Sequence, residues 1–148
     1  MKISAKGRYA MASMISMAQT ASQGDCVTVI SLSQRLGISK IYLVQVFSLL
    51  RRSGLVNSIK GAQGGYQLSR HTSEISAFDI LAATETGMFE EVDETVKDTA
   101  LAIEEAMQNM LFRPANEALA NTLRRVSLLD LVKEVQSKLS DDGYMYYL

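Results

Sequence analysis

Basic side chains are unevenly distributed along this 148-residue chain, and they give the first indication of its chemistry. Residues 1–72 contain nine lysines and arginines against one acid, Asp25, for a net charge of +8, whereas residues 73–148 have a net charge of −9. The total of −1 therefore conceals a basic half suited to a polyanion and an acidic half that is not. Two solvated surfaces that merely differ in charge are the alternative interpretation.

An amphipathic segment in the basic half could present such charges to DNA. A helix capped by Ser39 is predicted by four apolar residues at helical spacing: Leu43, Val46, Phe47 and Leu50. A shorter helix over residues 29–36, with Thr28 as its N-cap, and a tight turn at Gly37 precede it. This order is typical of a helix-turn-helix, whose second helix fits the major groove of B-DNA. The residues left for its outward face are Lys40, Ile41, Val44, Gln45 and Ser48.

Residues at the start and on the outward face of this helix suit direct contact with DNA. Gln45 can pair bidentately with adenine, and Ser39 or Lys40 can reach a base or a phosphate. Ile41 and Val44 suit thymine methyl groups, although single apolar residues on a surface need no special cause. The start of the first helix, predicted after Ser4, adds a phosphate site, because a helix N-terminus attracts anions and basic side chains lie near this one. Its residues are Lys2, Lys6, Arg8 and Tyr9.

A glycine-rich hairpin follows the two helices. Short apolar stretches over residues 55–60 and 66–69 flank residues 61–65, which predicts two strands and a tight tip. Lys60, Gln63 and Tyr66 could reach a minor groove or a phosphate there, and the alternative is a tip that simply needs glycine. The complete set predicted to contact DNA is Lys2, Lys6, Arg8, Tyr9, Thr28, Ser39, Lys40, Ile41, Tyr42, Gln45, Arg51, Lys60, Gly61, Gln63, Gly64 and Tyr66.

The acidic half is predicted to be helical with one irregular stretch. Ser76 caps a short helix, and residues 85–98 are acidic and weakly patterned, which favours a loop. Ile103, Met107, Met110 and Leu111 mark a further helix, in which Pro114 either causes a kink or begins a new helix. Residues 127–130 resemble a capping box for a last helix.

Enzymatic chemistry has no visible basis in the sequence. Cys26 and His71 are the only residues of their types, and no nucleophile–base pair or phosphate-binding loop is apparent. His71 is predicted to be a surface residue, and Cys26 is either a redox-sensitive thiol or a bystander. The acidic pairs are predicted to be solvated rather than metal ligands. One cysteine and a charged start without a long apolar run lead us to expect a cytoplasmic protein.

Several motifs together resemble the Rrf2 family of bacterial repressors. They are Lys6-Gly7-Arg8-Tyr9 near the start, Tyr42-Leu43 with Gln45, and Lys60-Gly61 followed by Gly64-Gly65-Tyr66. The match covers the first half closely, and residues 127–132 fit the family more loosely. The resemblance implies a homodimer whose C-terminal helices cross, bound to a palindromic operator. Relatives often carry Glu where this chain has Val44, so the resemblance does not extend to the operator sequence.

The resemblance also bears on cofactors. Many members hold an iron–sulfur cluster through three cysteines in the loop that leads to the dimerisation helix, and a cluster needs several such ligands. Ala106 and Asn109 occupy the positions that we align with the last cysteine and a following histidine. We therefore predict no cluster and no other cofactor.

The tail is similar to that of cluster-free members that repress cysteine metabolism, and this likeness implies cysteine synthase as a partner. An extended tail with a terminal carboxylate could enter a pocket built for an amino acid. The residues concerned are Tyr144, Met145, Tyr146, Tyr147 and Leu148. Packing of these aromatic residues on the protein's own dimer is the alternative.

Together these features predict a mostly α fold. It is a winged helix-turn-helix with a two-stranded β wing and a long C-terminal dimerisation helix. Residues 1–75 form the DNA-binding domain, and residues 76–148 form the linker, dimerisation helix and tail. The predicted function is sequence-specific DNA binding by a homodimeric repressor of cysteine or sulfur genes. A sensor using Cys26 or a small molecule, and a subunit that regulates an enzyme without DNA, are the alternatives.

Overall fold

The computed structural model describes residues 1–20 and 25–146, in which seven α-helices surround a two-stranded sheet. This architecture confirms the predicted fold class. A 3₁₀ turn over Thr72–Glu74 and a π-helical turn over Gln108–Phe112 complete it. The elements are α1 (Ala5–Thr20), α2 (Val29–Leu36), α3 (Lys40–Arg52), β1 (Val56–Ile59), β2 (Gly65–Leu68), α4 (Ala77–Thr84), α5 (Leu101–Met107), α6 (Arg113–Arg124) and α7 (Leu128–Tyr146).

The hydrophobic core is built around α3. Its four predicted inward residues, Leu43, Val46, Phe47 and Leu50, are all fully buried. They share one cluster with residues from α1, α2, α4 and α7, so the core extends beyond the basic half. Burial of each such side chain stabilises the fold by roughly 1.5–3 kcal/mol, which holds α3 in one orientation.

The helix termini follow the predicted caps, with one exception. The Thr28 hydroxyl accepts a hydrogen bond from the Ser31 amide at 3.1 Å, and α2 ends at Gly37 in the left-handed conformation. The prediction that the Ser39 side chain caps α3 is wrong. Ser39 occupies the N-cap position, but its side chain makes no capping bond.

Two capping boxes fix the helices of the acidic half. Ser76 and Asp79 exchange side-chain and backbone hydrogen bonds at the start of α4. Ser127 and Asp130 do the same at the start of α7, as predicted. A backbone bridge between Ser76 and Ser127 brings these two helix starts together.

The wing is the antiparallel hairpin of β1 and β2. Its register pairs Val56 with Leu68 and Ile59 with Gly65. Tyr66 joins the hairpin to the chain before α2 through two hydrogen bonds of 2.8 Å with the backbone of Val27. A side chain at Gly64 would overlap the carbonyl oxygen of Ile59, so the tip itself requires glycine there.

A continuous helix runs from Leu101 to Arg124, because the backbone remains helical through the π turn between α5 and α6. Pro114 lies in the first turn of α6, as one of the two predicted alternatives required, but α6 continues the preceding helix through the π turn without a break. Its ring displaces a carbonyl one turn earlier, and the wider π turn accommodates that displacement.

The last helix is longer than the sequence suggested. The prediction of an extended tail is wrong for residues 144–146, because α7 continues to Tyr146. Gly143 costs a helix only about 1 kcal/mol, too little to end it. Tyr147 and Leu148 lie outside the described residues. None of the helices in the described part of the chain combines the length and apolar character that a bilayer crossing requires.

Candidate nucleic-acid interface

The outward face of α3 combines polar and apolar side chains. Ile41 is 73 % exposed and Val44 is 50 % exposed, on a helix whose opposite face is completely buried. Lys40 and Gln45 line the same shallow depression as these two residues. The predicted outward set is therefore gathered on one accessible surface, with side chains long enough to reach base edges.

The start of α1 lies beside this surface. The ring centroids of Tyr9 and Tyr42 are 5.9 Å apart, and this contact joins α1 to α3. Lys2, Lys6 and Arg8 are exposed around this helix start. One guanidinium nitrogen of Arg8 donates to the Ile3 carbonyl oxygen at 2.8 Å, which orders the residues before the helix.

The wing contributes exposed residues at its tip and one anchored residue. Lys60, Gly61 and Gln63 are exposed at the tip. Tyr66 is half-buried, and the centroid of its ring lies 4.7 Å from the ring centroid of Phe47 on α3. Tyr66 therefore anchors the wing to α3 and to the chain before α2, and its ring does not extend from the tip. Gly64, also half-buried, shapes the turn.

The remaining predicted residues are distributed around α2 and α3. Thr28 and Ser39 are exposed at the starts of the two helices, and Arg51 is exposed at the end of α3. The Thr28 oxygen caps α2, whereas the Ser39 hydroxyl is not used for capping. His71 caps the 3₁₀ turn through a 3.1 Å hydrogen bond from the Ser73 amide to its ring.

The acidic loop, residues 85–100, is held by polar side chains that sequence reasoning missed. Glu104 is only 2 % exposed. Its carboxylate accepts hydrogen bonds of 2.8 Å from the amides of both Thr95 and Val96. Gln108 donates to Glu104 at 3.0 Å and to the Val92 carbonyl at 3.1 Å. The i, i+4 spacing of Glu104 and Gln108 was the only local signal of this pair.

These hydrogen bonds change the acidity of Glu104. The Val96 amide, the Gln108 side chain and the Thr95 amide hold the pKa of this carboxyl below its ordinary value, against the opposing effect of burial. Glu104 is therefore charged at neutral pH, and its negative charge strengthens its hold on the loop.

The other side of the same long helix is apolar and uncovered. Ile103, Met110 and Leu111 are each more than half exposed, and Met110 reaches 82 %. We call these three residues the apolar stripe. Their placement differs from an ordinary surface helix, since the polar residues Glu104 and Gln108 are the ones buried within the chain.

Comparison with known proteins identifies regulators. A family model described as "Rrf2: Iron-dependent Transcriptional regulator" matches residues 3–134. The HTH-type transcriptional regulator IscR of Xenorhabdus nematophila is 36 % identical over 140 residues, which is 90 % of this chain and 80 % of the relative.

Solved structures agree in fold. CymR (YrzC), the global cysteine regulator of B. subtilis, superimposes with a TM-score of 0.71 at 33 % identity, covering 90 % of this chain and 98 % of that one. T. potens IscR superimposes with a TM-score of 0.72 at 31 % identity, covering 99 % of this chain and 97 % of that one.

The side chains of this chain do not fit the iron–sulfur cluster that the family resemblance implies for many members. Ala106 and Asn109, at the aligned positions, offer neither a thiolate nor an imidazole. Among the described residues, no group of three histidine, cysteine or acidic side chains is arranged to hold a metal ion. Cys26 precedes α2 in the basic half. In this chain the acidic loop before the long helix is held by hydrogen bonds to Glu104 and Gln108.

Replacement of Glu104 tests this loop contact. We expect Glu104→Ala to accelerate amide hydrogen exchange at Thr95 and Val96, because both amides lose their acceptor. The neighbouring exposed acid provides a matched control, and Glu105→Ala should leave both amides protected. Unchanged exchange in Glu104→Ala would contradict the contact.

The contacts of Glu104 predict that the free energy of unfolding depends on pH. The variant Glu104→Gln serves as a mimic of the protonated acid. The stabilisation from the carboxylate is complete above the ordinary glutamate value of 4.5 and is lost as the pH falls through the lowered pKa. Urea unfolding should therefore show wild type more stable than Glu104→Gln at neutral pH and equally stable in acid. A difference that persists unchanged in acid would argue against the assignment.

Proposed function

Because the chain belongs to the Rrf2 family of transcriptional regulators, we propose that it is a repressor that binds an inverted-repeat operator as a homodimer. The observation that carries this proposal is the outward face of α3, where Ile41 and Val44 are exposed beside Lys40 and Gln45. Residues 1–75 contact DNA, and residues 76–148 form the dimer and its tail. Its place of action is the cytoplasm, where bacterial operators lie.

Sequence readout is assigned to α3. Gln45 donates to and accepts from an adenine edge, while Ile41 and Val44 contact thymine methyl groups. Lys40 and Ser39 reach a neighbouring base or phosphate from the N-terminal end of the helix. The buried opposite face supports this role, because a rigidly packed helix presents its side chains at a constant position.

Phosphate contacts are assigned to the basic residues around α3. Lys2, Lys6 and Arg8 approach one strand from the start of α1, and Arg51 lies at the far end of α3. Lys60 and Gln63 extend the contact through the wing. These contacts position the protein without reading sequence, so they are expected to be strongly salt-dependent.

Dimerisation is assigned to the apolar stripe. Its three exposed residues lie along one helix, and their burial against a second copy of the chain removes apolar surface from water. A two-fold axis through this helix gives two identical α3 surfaces, which matches an operator with two half-sites.

Regulation of cysteine metabolism is the finer part of the proposal. It rests on the likeness to the global cysteine regulator of B. subtilis. We assign binding of cysteine synthase to the aromatic tail, residues 144–148. The end of α7 supports this assignment, because the last turn of a helix lacks partners for its carbonyl groups and unwinds at low cost.

Base readout can be separated from phosphate binding by two substitutions. Gln45→Ala should weaken binding to the protein's own promoter by about 1–3 kcal/mol and leave random duplex DNA unaffected. Lys60→Ala should weaken both and reduce the salt slope by about one. Titrations at several salt concentrations measure both effects. If Gln45→Ala lost the same affinity for promoter and random DNA, the result would contradict a reading role for Gln45.

A charge in the apolar stripe should prevent dimerisation. Met110→Asp is expected to shift the protein from dimer to monomer in sedimentation velocity, because an unpaired carboxylate would have to be buried. Ile30→Asp, the same change at an exposed apolar residue of α2, should remain dimeric. A dimer that survives Met110→Asp would place the interface elsewhere.

Removal of the tail tests the enzyme partner. Calorimetry should detect binding of purified cysteine synthase to the full chain and none to a chain lacking residues 143–148. Both chains should still bind the promoter duplex, which serves as the control. Unchanged synthase affinity after the deletion would exclude the tail as the contact.

A further inference from the structure

Glu85 makes a long-range contact with the start of α1. It follows α4 directly, and its Oε1 atom accepts hydrogen bonds from the Ser4 amide at 2.9 Å and the Ser4 hydroxyl at 2.8 Å. The Ser4 oxygen in turn accepts from the Gly7 amide at 3.2 Å. The first turn of α1 is thereby closed by a carboxylate, the charge that a helix N-terminus favours.

Gly7 is the residue that permits this approach. It is buried, and a Cβ atom there would overlap Oε1 of Glu85 and lie 2.7 Å from Cγ2 of Ile3. Gly7 is helical with an ordinary backbone conformation, so its lack of a side chain, and not its flexibility, is what matters. Without the contact, alanine would be the better residue at this helical position by about 1 kcal/mol.

The contact lies among the cations assigned to phosphate binding. Ser4 separates Lys2 from Lys6 in the chain, and Ile3, next to Ser4, accepts the hydrogen bond from Arg8. Fixing Ser4 therefore constrains the path of residues 1–3, which carry Lys2 and hold the carbonyl group that Arg8 contacts. Electrostatics alone would make an acid at this place unfavourable for DNA binding, because it repels phosphate.

We propose that Glu85 is a positioning residue for DNA binding, whose carboxylate holds Ser4 so that Lys2, Lys6 and Arg8 face the phosphate backbone together. This inference rests on the proposed function. It assigns to Glu85 an effect opposite in sign to that of its charge, since its removal weakens DNA binding.

The test measures binding of the full chain to a short fluorescent duplex of random sequence at several salt concentrations. Glu85→Ala should bind roughly three- to tenfold more weakly at low salt, with a salt slope reduced by about one or two phosphate contacts. Glu85→Gln, which keeps an accepting oxygen for Ser4, should retain most of the wild-type affinity. Gly7→Ala should reproduce the loss without any change in net charge, because its methyl group displaces Glu85.

Glu91→Ala is the matched control. It removes the same charge from the acidic loop at an exposed side chain that makes no hydrogen bond in the described part of the chain. It should bind DNA as well as wild type or slightly better, with an unchanged slope. Circular dichroism checks folding, and Ser4→Ala takes the place of Glu85→Ala if that variant does not fold.

Wild-type affinity and slope in both Glu85→Ala and Gly7→Ala, or in Ser4→Ala where it is the substitute, would overturn the positioning role and leave the proposed function intact. A wild-type protein that does not bind duplex DNA at low salt would instead overturn the proposed function. A lower free energy of unfolding in these variants, with affinity and salt slope unchanged, would show that the contact only stabilises the fold. That result would also overturn the positioning role.

Discussion

The packing of α3, which is buried on one face and exposed on the other, is the constraint on which the rest of the structure depends. One face of this helix is completely buried in a core that draws on α1, α2, α4 and α7, so the helix cannot rotate without exposing Leu43 or Phe47. The same packing determines which residues face outward. Ile41 and Val44 remain exposed because the core leaves no other orientation for them, and the proposed DNA surface follows from that geometry.

The long helix of the acidic half uses the opposite arrangement. Its contact with its own chain is polar, through Glu104 and Gln108, and its apolar stripe faces outward. Hydrogen bonds to the charged Glu104 hold the acidic loop, while the stripe remains available for a second chain. A monomer with this surface would expose apolar area that water disfavours, which is the physical reason for assigning a dimer.

Local signals predicted much of this structure. Helical spacing identified the buried face of α3, and Ser76 and the Ser127–Asp130 pair identified the starts of α4 and α7, because these features act within a few residues. The contact of Glu85 with Ser4 could not be predicted, since its partners lie 81 residues apart. Periodicity also found the apolar stripe without showing that it faces outward, because the period alone does not say which side of a helix is covered. The tail was expected to be extended, but one glycine did not end α7.

The central claim is that two copies of α3 are presented to DNA with two-fold symmetry. Hydroxyl-radical footprinting of the wild-type protein on its own promoter tests this claim most directly, because it maps each protected sugar along both strands. The account predicts two protected regions related by symmetry, with centres separated by about one helical turn of 10–10.5 bp or a multiple of it. A single asymmetric region, or no protection at low ionic strength, would contradict it.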